Sequence, residues 1–286
     1  MDDGKLRALL TAVECGSFSK AAAQLGYTQS AMTHLVNKLE AEVGCTLLER
    51  DSQGIRLTDA GRQLLPYIQN VVCACDTLLQ EAAEQSDPRK RTLRIGCFAS
   101  IARARLPELL RAFRELHPEI KMDVLVRGDE LPAALASGEI QLALVDEARA
   151  QGFDFLPLAD TPLVAVVPPD FPWEGETIPL ERLLREPFLS SPDQYIEPFL
   201  PPDTPRLEVT ASDDGSILSM VAGGLGVSVL SSFSLVGYEG QVRVLQLEKP
   251  IALRLGAAVK SVNTIGTSAR MFLTFLREYY GKDDTQ

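Results

Sequence analysis

The sequence contains very few histidines and no glycine-rich phosphate loop, and both absences count against an enzyme. Only His34 and His117 occur among the 286 residues. Because histidine is the commonest general base, a Ser-His-Asp triad or histidine metal site in the C-terminal part would depend on His117 alone. The glycines at 223, 224 and 226 follow a predicted helix and are typical of a helix end and turn. We therefore expect no catalytic residues, no metal site and no bound cofactor.

Cysteine is scarce, and no long apolar run is present. The five cysteines form an odd set without metal-ligand spacing, which predicts reduced thiols in the cytoplasm. The least polar window, residues 217–236, is interrupted by glycines and serines, so a buried helix, turn and strand fit it better than a membrane span. Met1 is followed by two aspartates and no apolar stretch, so we expect no secretory signal and no membrane partner.

The net charge of −11 disfavours a nucleic-acid partner, but the acidic residues are unevenly distributed. Residues 1–62 contain seven Lys/Arg and eight Asp/Glu, a net charge of −1. The remaining residues contain 21 basic and 31 acidic side chains, a net charge of −10. A chain of this length is expected to form two or three domains. DNA binding by the N-terminal part would depend on local placement of charge and on several modules acting together.

Residues 17–61 have the pattern of a winged helix-turn-helix. Ser17 is a candidate N-cap for a first helix, and Gly26 supplies the positive φ that a tight turn between helices needs. Thr28 is predicted to cap a second helix that runs to about Val43. Its outward side chains suit base edges and phosphates, and they are Gln29, Ser30, Thr33, His34 and Asn37. The alternative is an amphipathic helix pair with a solvated polar face.

The segment after the second helix is predicted to be a two-stranded wing. It spans residues 46–58 and turns at Gln53 and Gly54. Arg50 and Arg56 lie on its two strands, where they would be near the DNA backbone. Arg56 would also fit a strand residue that supports the wing.

These segments resemble the N-terminal signature of the LysR-type transcriptional regulators. The match runs nearly position for position through FSKAAAQLGYTQSAMTHLVNKLEAEVGCTLLER and IRLTDAG, and a looser resemblance extends to about residue 280. The resemblance implies sequence-specific binding to promoter DNA. The residues to which it assigns base or backbone contacts are Thr28, Gln29, Ser30, Thr33, His34, Lys38 and Arg50. Family members often have an arginine in the wing where this chain has Gln53, and that arginine can reach the minor groove.

Residues 59–91 are predicted to form a linker helix and a hinge. Nine apolar or small residues between Leu64 and Ala82 are spaced by three and four, as a helix-helix seam requires. The helix is too isolated in the sequence for us to expect a local core that buries this stripe, so a partner chain is its expected cover. In LysR-type proteins this helix forms a homodimer, and the resemblance further implies a dimer of dimers. Residues 86–92 contain a proline and a basic run and are expected to be a polar hinge.

Residues 92–286 alternate predicted strands and helices and are expected to form two α/β lobes. Lobe I is assigned residues 92–162 and 256–286, and lobe II residues 163–255. The predicted fold class is therefore α + α/β: a winged helix-turn-helix (1–58), a long linker helix and a two-lobed domain that resembles type 2 periplasmic binding proteins. In the LysR family, a small-molecule effector binds between these lobes. The elements predicted around the lobes include strands 163–167, 188–190, 206–210 and 254–259, and helices 105–117 and 214–222.

Strand ends at the cleft supply the candidate effector-binding residues, because α/β sheets present ligand groups there. Ser100 follows a predicted strand and precedes a helix, a position that favours anions and where family members commonly bind effector through Ser or Thr. The other candidates are Ile101, Arg127, Asp146, Leu163, Ser190 and Ser191. An anion is one candidate effector. The run from Arg127 to Glu130 replaces a hydroxyl common in the family, so no known effector can be transferred.

The leading interpretation is a ligand-responsive DNA-binding regulator with promoter DNA, the effector and RNA polymerase as partners. The alternative is an enzyme or solute-binding protein whose N-terminal helices serve only for dimerisation. Thiol-sensing members of the family use a cysteine pair in the second lobe. No cysteine follows Cys97, which is expected to be a small core residue, so we expect no peroxide sensing by that route.

Overall fold

The computed structural model of the protein describes residues 2–51, 54–191, 195–207, 209, 211, 213–238 and 240–281. Two compact units are present. The first comprises residues 1–86 with the short segment 136–138, and the second comprises the rest of the chain. Among the described residues, no helix combines the length and apolar character needed to cross a lipid bilayer.

The first unit consists of four helices and a β-hairpin. Its elements are α1 (Asp3–Cys15), α2 (Phe18–Leu25), α3 (Gln29–Val43), β1 (Leu48–Asp51), β2 (Gly54–Leu57) and α4 (Asp59–Ser86). The inward faces of α1, α2 and α3 meet in one core, in which Leu9, Ala21, Met32 and Leu39 are completely buried. The small Ala21 lets α2 pack closely against its neighbours.

The turn between α2 and α3 forms as the sequence predicts. Gly26 has a φ of 71°, and its backbone N–H donates to the carbonyl of Ala22 at the end of α2. The Thr28 side chain accepts a hydrogen bond from the backbone N–H of Ala31 and so caps α3. Ser17 occupies the N-cap position of α2, but its side chain makes no capping hydrogen bond. The contribution predicted for that hydroxyl is therefore wrong, although the helix begins where expected.

The hairpin is attached at its base to α3 and α4. Glu40 of α3 accepts hydrogen bonds through Oε1 from the backbone N–H groups of Leu47 and Leu48, at 2.7 and 3.0 Å. The Thr58 hydroxyl donates to the carbonyl of Thr46 and accepts from the N–H of Gly61 in the first turn of α4. These bonds fix the start of the wing to α3 and its end to the first turn of α4.

The second unit contains a sheet of eight strands with helices around it. Its elements are β3 (Thr92–Cys97), α5 (Ala99–Ala104), α6 (Leu106–Leu116), β4 (Lys121–Val126), α7 (Leu131–Ser137), β5 (Leu142–Asp146), β6 (Asp154–Val167), β7 (Thr177–Ile178), α8 (Leu180–Leu183), α9 (Asp214–Ala222), β8 (Ser228–Ser231), β9 (Arg243–Leu247), β10 (Ala252–Val259) and α10 (Thr267–Gly281). Short 3-10 helices occupy Pro88–Lys90, Glu197–Phe199 and Ser232–Leu235.

Two long strands connect the lobes of this unit. The strand order is β4-β3-β5-β10-β6-β9-β7, and β8 pairs with β6. The parallel strands β4, β3 and β5 belong to lobe I, while β7, β8 and β9 belong to lobe II. The first half of β6 pairs with β10, and its second half pairs with β8 and β9. The chain therefore crosses between the lobes within an antiparallel pair of continuous strands.

Several predicted strand bounds differ from the structure. The sequence predicts the crossing strand at 163–167, but the strand begins at Asp154. Pro157 does not interrupt it, because this proline lies opposite Gly256 at a β-bulge, where a missing N–H is tolerated. The return strand predicted at 254–259 begins at Ala252. The strand predicted at 188–190 is wrong, because Phe188 makes only single bridges among the described residues, to Arg206 and Val227. Of the strand predicted at 206–210, residues 208 and 210 lie outside the described residues.

Helix bounds agree better with the sequence. The predicted helix 214–222 coincides with α9. The helix predicted at 105–117 is α6, but a separate short helix, α5, precedes it, so Ser100 lies in the first turn of a helix. In lobe I, α6 and α10 cover the sheet, and Phe113 packs edge-on against Phe272 with ring centroids 4.9 Å apart.

Gly61 offers a direct test of the packing between the wing and α4. A Cβ at Gly61 would overlap the carbonyl oxygen of Leu47, so Gly61→Ala should destabilise the first unit by about 2 kcal/mol. Gly4→Ala is the matched control, because Gly4 is also helical but its nearest neighbour would be at an ordinary distance of 3.4 Å. The control should be neutral or stabilising. Hydrogen exchange of α1–α3 amides in the full chain measures the difference, and equal protection in both variants would contradict the packing.

Candidate functional site

The outward face of α3 is polar and free of acidic side chains over its first three turns. Between residues 28 and 38 the sequence contains one lysine and no aspartate or glutamate. Most of the predicted DNA-contacting residues in this stretch are exposed: Thr28, Gln29, Ser30, His34 and Lys38. Thr33 is half-buried, next to the fully buried Met32. A face of this kind can approach a polyanion without burying like charge against it.

The two glutamates in the second half of α3 are held by neighbouring groups. Glu40 accepts the two backbone hydrogen bonds from the wing base. Glu42 pairs with the Lys5 ammonium at 2.5 Å, and this hydrogen bond lowers the pKa of Glu42. The same contact raises the pKa of Lys5. The negative charges of α3 are therefore located away from the polar front and partly neutralised.

The wing residues are less completely described. Arg50 lies in β1 opposite Ile55, and Arg56 lies in β2 opposite Glu49. Arg56 is exposed, whereas the side chain of Arg50 is not described. Gln53 lies outside the described residues.

A cavity of about 240 Å³ opens between the two lobes of the second unit. Its lobe I wall is formed where β3 and β4 end, and its lobe II wall is the beginning of α9. The lining residues are Phe98, Ala99, Ser100, Val126, Arg127, Gly128, Asp213 and Asp214. A cavity of roughly 150 Å³ is enough to hold benzene, so this cleft can hold a small metabolite.

The lobe II wall contains a buried carboxylate that is bound by hydroxyl groups. Asp214 is only 6% exposed, and its Oδ1 accepts a hydrogen bond from Ser191 at 2.7 Å. Its Oδ2 accepts from Ser234 at 2.5 Å and from the Tyr195 hydroxyl at 3.2 Å. The Tyr195 oxygen in turn accepts from the backbone N–H of Ser231. The network fixes the first turn of α9 relative to the rest of lobe II.

Only some of the predicted effector-binding residues line this cavity. Ser100 and Arg127 do. Asp146 instead accepts two hydrogen bonds from Arg149, and Ser191 is bonded to Asp214. Ile101 and Leu163 are buried in the lobe cores, and Ile101 also lines a smaller apolar pocket. Ser190 has a buried hydroxyl oxygen without a hydrogen-bond partner among the described residues.

Sequence reasoning missed the two aspartates of the cleft. Asp213 accepts from the backbone N–H of Ser216 at 2.9 Å and caps α9. The signal was present, because Asp213 directly precedes the helix predicted at 214–222, which is the pattern of an N-cap, and Asp214 begins that helix. Phe98 and Val126 were also missed, and nothing in their strand context distinguishes them from core residues.

The described ranges contain no prepared metal site, and the Cys97 thiol is shielded from reaction. No group of three or more His, Cys, Asp or Glu side chains there could hold a metal ion. Cys97 is completely buried at the end of β3, and this burial raises the pKa of its thiol to about 12. A thiol with such a pKa is almost entirely protonated, and so unreactive, near neutral pH.

Comparison with known proteins assigns both units to one family. Residues 4–62 match the model of the bacterial regulatory helix-turn-helix protein, lysR family, and residues 86–281 match the LysR substrate binding domain. A probable HTH-type transcriptional regulator, LrrA of Synechococcus elongatus, is 29% identical over 287 residues, which cover 97% of each chain.

Solved structures with the same fold cover nearly the whole chain. A full-length OxyR variant from Pseudomonas aeruginosa is 23% identical with a TM-score of 0.69, covering 97% of this chain and 95% of that one. Full-length CbnR complexed with its target DNA is 20% identical with a TM-score of 0.65, covering 97% and 99%. At these identities the likeness concerns the fold alone.

The raised pKa of Cys97 predicts selective protection from alkylation. In the native protein at pH 8, iodoacetamide should modify the partly exposed Cys15 and Cys45 and leave Cys97 unmodified, because its thiol is buried and protonated. In urea all three should react, which serves as the control. Peptide mass spectrometry measures each site, and rapid native labelling of Cys97 would contradict the prediction.

Proposed function

The chain belongs to the LysR family of DNA-binding transcriptional regulators, and on this premise we propose which of its residues bind DNA and effector. The polar front of α3 enters the major groove, and the cleft between the lobes binds the small molecule that modulates promoter binding. The observation that carries this proposal is the run of eleven residues, 28–38, without an acidic side chain in a chain of net charge −11. Such a local exception to the overall charge suits contact with phosphates.

The proposed DNA contacts follow from side-chain chemistry. Gln29 can pair with adenine in a bidentate manner, and Thr33 can bond to a base or contact a thymine methyl group. Ser30 and His34 lie on the same front and would complete the base or phosphate contacts. Contacts to the sugar-phosphate backbone of the DNA would come from Thr28, Lys38, Arg50 and Arg56. Gln53 remains a candidate wing residue that would contact DNA differently from an arginine.

For the effector we propose the cleft residues Ser100 and Arg127 as direct contacts, with Ser190 as a further candidate. Asp146 and Ser191, also predicted from the sequence, would act by supporting the walls through Arg149 and Asp214. Ile101 and Leu163 would shape the cleft from the core side. The protein would act as a regulator without catalysis, in the compartment where its promoter DNA lies, the cytoplasm.

We also propose a homodimer through α4. The expectation that the stripe finds no local core is wrong for Ile68 and Val72, which are buried in the core of the first unit. Four large apolar side chains on this helix are nevertheless exposed in the single chain: Tyr67 (68%), Val71 (40%), Leu78 (70%) and Leu79 (65%). A monomer rarely exposes such a contiguous apolar surface, so a second copy of the helix is its expected cover. Two such dimers would form a tetramer, which could bend DNA and contact RNA polymerase at the promoter.

The proposed domain division assigns residues 1–58 to the winged helix-turn-helix, residues 59–91 to the linker helix and hinge, and residues 92–286 to the two-lobed domain.

The DNA-binding proposal is tested by removing two side chains from the front of α3. Gln29→Ala combined with Thr33→Ala should weaken specific binding to the DNA upstream of its own gene by about 100-fold, because each base contact contributes about 1–3 kcal/mol. Gln151→Ala with Thr274→Ala is the matched control, since it removes the same two residue types from exposed positions of the second unit. Mobility shifts at two salt concentrations measure both. Equal affinity of the two double variants would refute the assignment of α3.

The dimer proposal is tested by placing a charge on the exposed apolar stripe. Leu78→Glu should shift the assembly to a smaller species, with self-association at least about tenfold weaker, because it removes apolar burial and adds a buried charge. Asn70→Glu is the control, because it introduces the same charge at an exposed polar position of the same helix. Light scattering at several protein concentrations gives the mass. An unchanged mass for Leu78→Glu would exclude this stripe as the dimer contact.

A further inference from the structure

The two walls of the inter-lobe cavity carry opposite charge. On lobe I, the charged lining residue is Arg127. On lobe II, the charged lining residues are Asp213 and Asp214. A ligand that touches both walls therefore meets a cation on one side and carboxylates on the other.

Asp214 is a buried carboxylate without a countercharge in the described part of the chain. Its three hydrogen-bond donors, Ser191, Tyr195 and Ser234, are all neutral hydroxyls. An ionised carboxylate has about four acceptor positions, so one position remains, on Oδ1, which accepts only from Ser191. Removing such a charge from water is costly unless a cation compensates it. A positively charged ligand group in the cavity would provide that compensation.

The beginning of α9 is already occupied by the carboxylates of the protein. Asp213 accepts from the backbone N–H and the hydroxyl of Ser216, at 2.9 and 3.0 Å. The position where a helix would otherwise attract an anionic ligand is thus filled by the protein's own negative charge. An anionic ligand group would be repelled from this wall and has to face lobe I.

Arg127 on lobe I is paired with two exposed glutamates, which an anionic ligand group would have to replace. Its two terminal guanidinium nitrogens lie 3.4 Å from the two carboxylate oxygens of Glu139, and its Nε lies 3.7 Å from Glu130; these glutamate side chains are 48% and 72% exposed. Exposed ion pairs of this length contribute little stability and are easily exchanged for another carboxylate. Arginine binds a carboxylate through two parallel hydrogen bonds, and the neighbouring Ser100 hydroxyl can add a third.

We propose that the effector is a small amino acid in its zwitterionic form. Its carboxylate binds Arg127 and Ser100, and its ammonium group binds Asp213 and Asp214. This inference rests on the proposed function, in which the cleft is the effector site. It deepens that function by assigning the chemical class of the ligand and the wall that each ligand charge faces.

The test compares amino acids with analogues that lack one charge. The full-length protein is titrated by calorimetry with each of the standard free amino acids, with β-alanine and with 4-aminobutanoate. Any binder is then compared with its desamino carboxylic acid and with its decarboxylated amine. One amino acid should bind, and each analogue should bind at least about tenfold more weakly, because a hydrogen bond to a charged group contributes about 1.5–3 kcal/mol.

Two variants locate the charges. Asp213→Asn removes one negative charge and keeps the helix cap, because asparagine caps as well as aspartate. Arg127→Gln removes the positive charge. Each variant should bind the amino acid at least about tenfold more weakly than the unmodified protein does. The controls Asp203→Asn and Arg111→Gln remove the same charges from exposed positions outside the cavity and should leave the affinity unchanged.

The possible failures have different meanings. If a desamino acid binds as tightly as the amino acid, and Arg127→Gln but not Asp213→Asn weakens it, the zwitterion is wrong and the cleft remains the effector site. If an amino acid binds equally well to both variants, it binds elsewhere, and the cleft assignment fails as well. If no amino acid binds, the proposed ligand class is overturned, while the DNA-binding experiment on α3 still decides the regulator function separately.

Discussion

The antiparallel pairing of β6 with β10 is the constraint on which the effector domain depends. The strand β6 is continuous through both lobes: its first half pairs with β10, which also pairs with β5 of lobe I, and its second half pairs with β8 and β9 of lobe II. Gly256 lies at the bulge in this pair, and a Cβ there would overlap the carbonyl oxygen of Leu156. The close approach requires glycine at this bulge.

Charge is distributed so that one acidic chain can perform two binding tasks. In the first unit, Glu40 and Glu42 are engaged by the wing base and by Lys5, and the front of α3 carries no acid. In the second unit, the acidic excess is used partly inside the protein, as in the hydroxyl-bound Asp214. Net charge therefore gives a poor prediction of a DNA-binding partner here, whereas the local sequence of α3 gives a good one.

The sequence was sufficient to predict the bounds of those helices that local signals determine. The bounds of α3 and α9 were predicted from caps, glycine turns and apolar spacing, because those signals lie within a few residues of each other. The effector cleft was predicted less well. Ser191 bonds to Asp214, 23 residues away in sequence, and Leu163 faces a core because of its partners in β8. Such contacts depend on which strands pair, and no spacing rule encodes that choice. The false strand at 188–190 has the same origin, since a buried apolar segment near a sheet need not join its ladder.

If the cavity is the effector site, as proposed, its division between the lobes determines which ligands can act as effectors. Every group that holds Asp214 belongs to lobe II, and Arg127 and Ser100 belong to lobe I. A ligand that binds one wall alone has the same contacts whether the lobes are open or closed, so it cannot shift their equilibrium. A ligand that carries complementary groups at both ends binds better when the walls approach. Its differential affinity for the closed form is then the free energy available to change the arrangement of the regulator on DNA.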